Sequence, residues 1–594
     1  MEIPYAKPFC RWLLFVLYWD YVQTNSNIAQ FESDFQCLSM EYKLMLWKHH
    51  VRADICCNSR NQKSLKLKKF QHWRFSEPLL LSSGFKFDPE SRNFIREVRN
   101  SIFSFVNPTP MKTAVQLVAI SSNALENTLD LDTADCNVSR SFLDFISGNK
   151  VLNGSFPLAH RYGGHQFGSW AGQLGDGRAH LLGEYVNSKN ERWELQLKGS
   201  GQTPYSRRGD GRAVLRSSVR EFLCSEALHH LGIATSRAVT LIVSDDPVTR
   251  DQFYNGNIKT ERAAVVLRLA PSWFRIGSLE ILESNNEIDL LRHLVDFIIQ
   301  NYYHKEVDSS SENKYVQFFG AVFNRTLVTV TKWMAVGFTH GVCNTDNYSL
   351  LGLTIDFGPF GFVEEYDENF VPNTSDDEGR YSLGKQPSIA MHNLDKLRIA
   401  ISPLLDKKDR KNVSKILHTF DERYQELLIN EFRKKLGLFN EFENDSLLLA
   451  SLLYLMQQTR ADFTSTFRQL SELTANEMFV DSIPSYLWAL KILSRHEYFS
   501  KWLESYRLRL EDNPGSVSDE IRMKRMCSVN PRYVLRNWMA EEAIQKAEKN
   551  DFSVVRKLLK ILQRPHTKQI IAEKLGYASP SPDWATHLKV SCSS

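Results

Sequence analysis

Sulfur is scarce and scattered in this chain, with nine cysteines in 594 residues, at positions 10, 37, 56, 57, 136, 224, 343, 527 and 592. None falls in a C-x-x-C pair and no Cys/His grouping has zinc spacing, which argues against a zinc module and against a disulfide framework. The usage fits a reducing compartment or occasional redox control. An excess of one charge is also lacking: the formal net charge of +4 is too small to imply a nucleic-acid or membrane partner. No stretch reaches the roughly 18 apolar residues of a membrane-spanning helix. The apolar octet at residues 12–19 (WLLFVLYW) follows Lys7 and Arg11, but Asp20 comes next and no small-residue cleavage pattern follows. No internal repeat is evident. What remains is ordinary for a globular protein, 42% apolar and 24% charged, in a chain long enough for two or three domains.

Against that plain background one stretch stands out. Gly341-Val342-Cys343-Asn344-Thr345-Asp346-Asn347 is followed, after the apolar hairpin sequence 349–355 (SLLGLTI), by Asp356-Phe357-Gly358. Asn347 and Asp356 are hard oxygen ligands whose spacing can bring an amide oxygen and a carboxylate onto one Mg²⁺ beside nucleotide phosphates. Protein kinases use a catalytic-loop Asn and a D-F-G Asp in this way. Asp346, beside the Asn, is a candidate general base. The kinase H-R-D-x-x-x-x-N loop is absent, because Asp346 and Asn347 are adjacent, and this departure argues against a standard protein kinase.

The upstream half supplies matching parts. Residues 172–178 (GQLGDGR) form a glycine-dense turn, and residues 194–199 (ELQLKG) alternate like a strand that ends on Lys198. Glu221 lies in a segment whose apolar residues 215, 219, 222, 223 and 227 have a helical period, with Gly232 as a stop. The order is glycine-rich loop, strand lysine, helix glutamate, Asn and D-F-G Asp, which is the part list of a kinase-like phosphate site. Arg178, Arg207, Arg208, Arg212, Arg216, Arg268 and Arg275 crowd the same half, and guanidinium forks match phosphate oxygens. Each part alone has an ordinary explanation. Lys198 reads as a solvated strand-end lysine, Glu221 as a helix-surface residue, and the glycines as a hairpin turn. Asp346 reads as an Asx-turn residue, and the arginines as a basic solvated face.

These motifs resemble the selenoprotein O family, kinase-fold proteins that act as protein AMP-transferases. The resemblance covers about residues 100–594 and is carried by residues 160–183 (HRYGGHQFGSWAGQLGDGRAHLLG), 195–220 (LQLKGSGQTPYSRRGDGRAVLRSSVR), 341–362 (GVCNTDNYSLLGLTIDFGPFGF), 461–468 (ADFTSTFR), 530–544 (NPRYVLRNWMAEEAI) and the terminal 590–594 (VSCSS). It implies roles residue by residue. Gly175, Gly177 and Arg178 would be the glycine-rich loop contacts, and Lys198, paired with Glu221, would touch phosphate. Asp210 and Gly211 would contact nucleotide, and Arg268 and Arg275 would hold further phosphate oxygens. Asp346 would be the base, and Asn347 and Asp356 would hold the metal. The family binds ATP reversed, so that AMP is transferred; this too is implied by the resemblance alone. Bacterial members pair a terminal cysteine with one just before an Asn in the loop after the D-F-G, where this chain has Pro372 before Asn373. Other members carry a selenocysteine with a cysteine three residues earlier, where this chain has Lys589 before Cys592. Neither redox pair is therefore complete. Cys343 is the remaining cysteine beside the chemistry, read as a packing residue.

The expected fold is α+β, a two-lobed protein-kinase-like arrangement with a mixed upper lobe and a large helical lower lobe. Residues 1–70 do not resemble the family and are expected to be a poorly ordered extension, with Lys63 to Lys69 a solvated linker. They read as lineage-specific or as a gene-prediction artefact. Residues 71–285 would cover the nucleotide and residues 286–594 would be the catalytic helical lobe with a C-terminal tail. A helix from about residue 322 is expected to run to His340 and stop at Gly341. From Asn393 onward a helical bundle is expected, broken at Pro403, Pro484 and Pro514. The expected activity is transfer of AMP from ATP to Ser, Thr or Tyr hydroxyls of proteins with Mg²⁺ or Mn²⁺. UMP transfer with Mn²⁺, ordinary phosphoryl transfer and a silent nucleotide-binding pseudokinase scaffold stand as alternatives. Animal members of the family are mitochondrial, so a mitochondrial location is expected, with the cytoplasm as the alternative. Partners would be protein substrates, with no nucleic acid and no membrane span.

Overall fold

The computed structural model describes residues 67–591 apart from 78, 208, 480 and 482. The expectations for residues 1–66, for Arg208 and for Cys592 lie outside the described residues. Lys68 to Phe70 belong to the described part, where Lys68 is exposed to solvent but hydrogen-bonded. Its amide donates to the Asp130 carbonyl at 2.7 Å and its Nζ to the Tyr185 hydroxyl at 2.9 Å, while Phe70 is buried. The aromatic next to the basic run thus has a core to enter.

The fold is α+β. Twelve strands are described: β1 (Phe103–Phe105), β2 (Val115–Ile120), β3 (Leu158–His160), β4 (His165–Gln166), β5 (Ser169–Trp170), β6 (Ala179–Val186), β7 (Arg192–Lys198), β8 (Ala213–Val214), β9 (Arg237–Asp251), β10 (Ile258–Ala270), β11 (Phe338–Thr339) and β12 (Gly361–Phe362). Eight form one sheet in the order β1-β3-β6-β7-β10-β9-β2, with β8 on β10, and every pairing in it is antiparallel. Alternation along β7 sets the faces. Leu195 and Leu197 enter one core with Val265, Leu267 and Leu269 of β10. The register puts Arg268 opposite Gln196 and Val266 opposite Lys198. Gln196, Lys198 and Arg268 therefore share the opposite face, and a one-residue slip would swap polar face for core.

The helix Leu215–His230 buries Leu215, Val219, Phe222, Leu223 and Ala227, the residues that gave its period. Gly232 follows at φ 76°. The helix is covered on both sides, by β9 and β10 and by the late helices Asn537–Glu548 and Ser553–Leu562. Arg556 of the latter donates to the carbonyls of Val118 at 2.7 Å and Leu117 at 3.1 Å, at β2.

Helices dominate from residue 276 onward. One helix spans Lys314–Val336 and stops at Gly337, not at Gly341. Gly337 sits at φ 69°, the left-handed cap that glycine adopts without a Cβ penalty. β11 then pairs with β12, so the approach to residue 341 is extended rather than helical. The next helix starts at Gln386, before Asn393, with Pro387 in its first turn. Pro403 lies in a short 3₁₀ turn, and Pro484 and Pro514 lie between helices. Among the described residues no helix is long and apolar enough to cross a membrane.

Candidate active site

The sequence-predicted residues meet in one cavity of about 780 Å³. Gly175, Gly177, Arg178, Lys198, Asp210, Gly211, Glu221, Arg268, Asp346, Asn347 and Asp356 all line it. Arg275 lies just behind the wall and reaches Asp356. The loop before β6 supplies Gly175 at φ 97°, where a Cβ would come within 2.5 Å of the Tyr205 ring. Only glycine allows both that backbone and that approach.

The charged centre is dense. Lys198 Nζ donates to Glu221 Oε2 at 2.5 Å and to Asp356 Oδ1 at 3.2 Å. Arg268 Nη1 bridges Glu221 Oε1 at 2.7 Å and Asp356 Oδ1 at 2.6 Å. Arg275 Nη1 donates to Asp356 Oδ2 and to the Asp346 carbonyl, both at 2.8 Å. Burial alone would raise the Asp356 pKa, but Arg268, Lys198 and Arg275 hold it well below the usual carboxylate range. Burial lowers the pKa of Lys198, against the pull of Glu221 and Asp356. The Arg268 guanidinium lies 4.4 Å from the Trp273 ring and that of Arg275 4.3 Å from the Tyr162 ring.

Asp346 sits in a 3₁₀ turn, Thr345–Asn347, and is buried. Gln166 Nε2 donates to its Oδ2 at 3.1 Å. Its Oδ1 is buried without a partner, a costly state unless something comes to fill it. Burial pushes its pKa up to about 6, against the Gln166 hydrogen bond and the charge of Arg275.

A divalent ion would find hard oxygen donors here. Asn347 Nδ2 is held by the Val342 carbonyl at 2.9 Å, which fixes the amide, and Asp356 sits at φ 60° on the same cavity wall. Among the described residues no group of three or more His, Cys, Asp or Glu converges as a metal cage. An amide, one carboxylate, phosphate oxygens and water is the donor set Mg²⁺ accepts.

Other expected contacts are differently engaged. Asp210 takes a two-pronged ion pair from Arg250, at 2.7 and 2.9 Å. Arg212 donates to the Pro110 carbonyl at 2.9 Å, and Arg216 pairs with Glu261 at 3.0 and 3.1 Å. The arginine crowd is thus partly structural, since carboxylates that lie far off in the chain come to meet it. Cys343 is buried, with its thiol pushed up to about 12 by burial, as a packing residue would be.

Several site residues escaped the sequence reading. Gln196 accepts from Arg268 Nε at 2.8 Å and donates to Asp176 at 3.2 Å. Asp176 is buried and raised by that burial to about 6. Gln196 stands two residues before Lys198, so strand alternation was signal enough. Tyr162 and Gln166 lie in the 160–183 motif, but nothing in their order says that they stack on Arg275 and hold Asp346.

An α+β fold that gathers two buried arginines, a half-buried lysine, a carboxylate–amide pair and the buried carboxylate of Asp346 around one cleft is suited to handling nucleotide phosphates. The family described as protein adenylyltransferase SelO matches residues 91–563. The chain is 44% identical over 503 residues, 84% of its length and 94% of the relative's, to a protein nucleotidyltransferase YdiU of Azoarcus sp. strain BH72. Proteins of the same name from Flavobacterium johnsoniae (42% over 516 residues, 85% and 96% covered) and Xanthomonas campestris pv. campestris strain B100 (44% over 501 residues, 84% and 94% covered) are similar to it as well. The chain belongs to the SelO family, and it is an enzyme, a nucleotidyltransferase.

Proposed function

We propose that this enzyme transfers AMP from ATP to serine, threonine or tyrosine hydroxyls of proteins. One observation carries the reading: the unpartnered buried Oδ1 of Asp346 stands in the same cavity as the Lys198, Glu221, Arg268 and Asp356 cluster. The adenylyltransferase description of the matched family favours AMP. The broader wording for the relatives, nucleotidyltransferase, leaves UMP as the second reading.

The sheet half is read as the lobe that covers the nucleotide and the helical half as the catalytic lobe of a kinase-like fold. The order loop, strand lysine, helix glutamate, Asn and Asp supports this. Lys198, held by Glu221, and Arg268 and Arg275 orient phosphate oxygens and neutralise their charge. Asn347 and Asp356 would hold Mg²⁺, which supplies further charge neutralisation at the phosphates. Asp346 accepts the proton of the acceptor hydroxyl as its oxygen bonds to the α-phosphorus. The bond from the α-phosphorus to the bridging oxygen breaks, and pyrophosphate leaves. Gln166 holds the other Asp346 oxygen and so leaves Oδ1 to the acceptor.

Asp346→Asn keeps the shape and removes the base. Transfer should fall by about 10²–10⁴-fold while the affinity for ATP, read by calorimetry, stays within a few-fold. Undiminished transfer by that variant would refute the assignment.

A further inference from the structure

Glu221 holds the cations of the cavity, and Arg220, the residue before it, lines the same cavity while its guanidinium is turned onto a neighbouring loop. Arg220 is 5% exposed. Its Nη2 donates to the Phe360 carbonyl at 2.7 Å, its Nε reaches the Gly358 carbonyl at 3.5 Å, and its Nη1 donates to Asn537 Oδ1 at 3.1 Å. The guanidinium lies 4.3 Å from the Phe360 ring. All three oxygens are neutral, and burial depresses its pKa to about 10. A buried guanidinium set against neutral acceptors is costly, and an apolar side chain would fill the space more cheaply.

Its partners show what the cost achieves. Gly358 and Phe360 are two and four residues past Asp356, whose own φ of 60° is a conformation that a non-glycine residue keeps only when its surroundings hold it. Glu221, on the same helix, holds Lys198 and Arg268. The helix Leu215–His230 therefore grips the cationic pair with Glu221 and the backbone after Asp356 with the residue before it. Asn537 opens the helix Asn537–Glu548, which packs on Leu215–His230 from behind. A Cβ on Gly361 would lie 3.2 Å from Asn537 Nδ2, so Asn537 abuts the same loop.

We infer that Arg220 is a positioning residue that clamps the backbone of residues 356–361 so that the Asp356 carboxylate stays on the cavity wall, with Asn537 holding Arg220 in turn. The inference rests on the proposed role of Asp356 as the metal-side carboxylate.

The test compares Arg220→Met, Arg220→Lys and Asn537→Leu in the full chain by steady-state kinetics, by thermal melting, and by amide hydrogen exchange of residues 357–361 without nucleotide. Arg220→Met should lose about 10–100-fold in kcat with acceptor KM within twofold, and exchange in that loop should rise at least tenfold while the sheet stays protected. Arg220→Lys should recover part of both effects, and Asn537→Leu should show both more weakly. Folded variants with loop exchange and kcat within twofold of the parent would overturn the clamp. Global unfolding of all three would overturn it equally, because the contact would then serve the whole fold. Asp356→Ala, run alongside, separates the two claims. If it turns over normally, the metal-site reading falls. If it is inactive while folded Arg220 variants turn over normally, only the clamp falls.

Discussion

Asp356 is ion-paired with Lys198, Arg268 and Arg275 at once. A ligand standing in open water could be cut away at no structural cost, but this carboxylate is 18% exposed and its loss strands cations behind it. Glu221 still answers two of them. Asp356→Ala should therefore cut transfer by about 10²–10³-fold or more and also lower stability, on the order of 3 kcal/mol. ATP should raise the melting temperature of the variant by more than that of the parent, since its phosphates replace the missing charge. Kinetics and calorimetry check both halves, and parental turnover would refute the site. Asp356, Lys198 and Glu221 were legible because each is of the right type at a workable spacing. Arg220 was not, because nothing local marks a helical arginine as gripping the backbone of a loop more than a hundred residues on.

At the scale of elements, β7 and the Glu221 helix were legible from periods of 2 and 3.6, and the late region was legible as helices broken at prolines. The helix ending at Gly337 was misjudged because two glycines, 337 and 341, lie four apart and both adopt positive φ; the pairing of β11 with β12, which decides between them, is a tertiary fact. The helix Phe420–Lys435 ends on another feature invisible locally. Lys435 is 3% exposed, with its Nζ 4.6 Å from the Phe467 ring and 5.6 Å from that of Phe463. Burial pulls its pKa down to about 7, against the charge of Glu431. The folded state thus sheds a proton near pH 7 that the unfolded chain holds to about pH 10.4. Its cost to stability is full below about pH 7 and fades as pH rises from there toward 10. Lys435→Met should raise the melting temperature at pH 6, by the equivalent of on the order of 2–4 kcal/mol, and the gain should shrink steadily toward pH 10. A gain that grows with pH would contradict this.

Across the whole molecule, the chain near residue 590 returns to the loop that follows Asp356. The Val590 carbonyl accepts from the Thr374 amide at 2.9 Å and from its hydroxyl at 3.0 Å, and Asn373 pairs with Val590 in a parallel bridge. The residue before Asn373 is Pro372, which offers no sulfur, and Cys343 is buried with a raised thiol pKa. Dithiothreitol should therefore change activity less than twofold. Strong activation by reductant that disappears in Cys592→Ser would show that another thiol serves as partner. The return near residue 590, like the packing of Asn537–Glu548 on the Glu221 helix, joins segments hundreds of residues apart, which one sequence without covariation does not encode visibly.

In the proposed reaction the α-phosphoryl group, with its adenosine, passes to protein. Incubation of the enzyme and a pool of soluble proteins with ATP labelled at either the α or the γ position tests it most directly. The α label should enter protein and the γ label should leave with pyrophosphate. Entry of the γ label without the α label would make this enzyme an ordinary kinase and contradict the proposal.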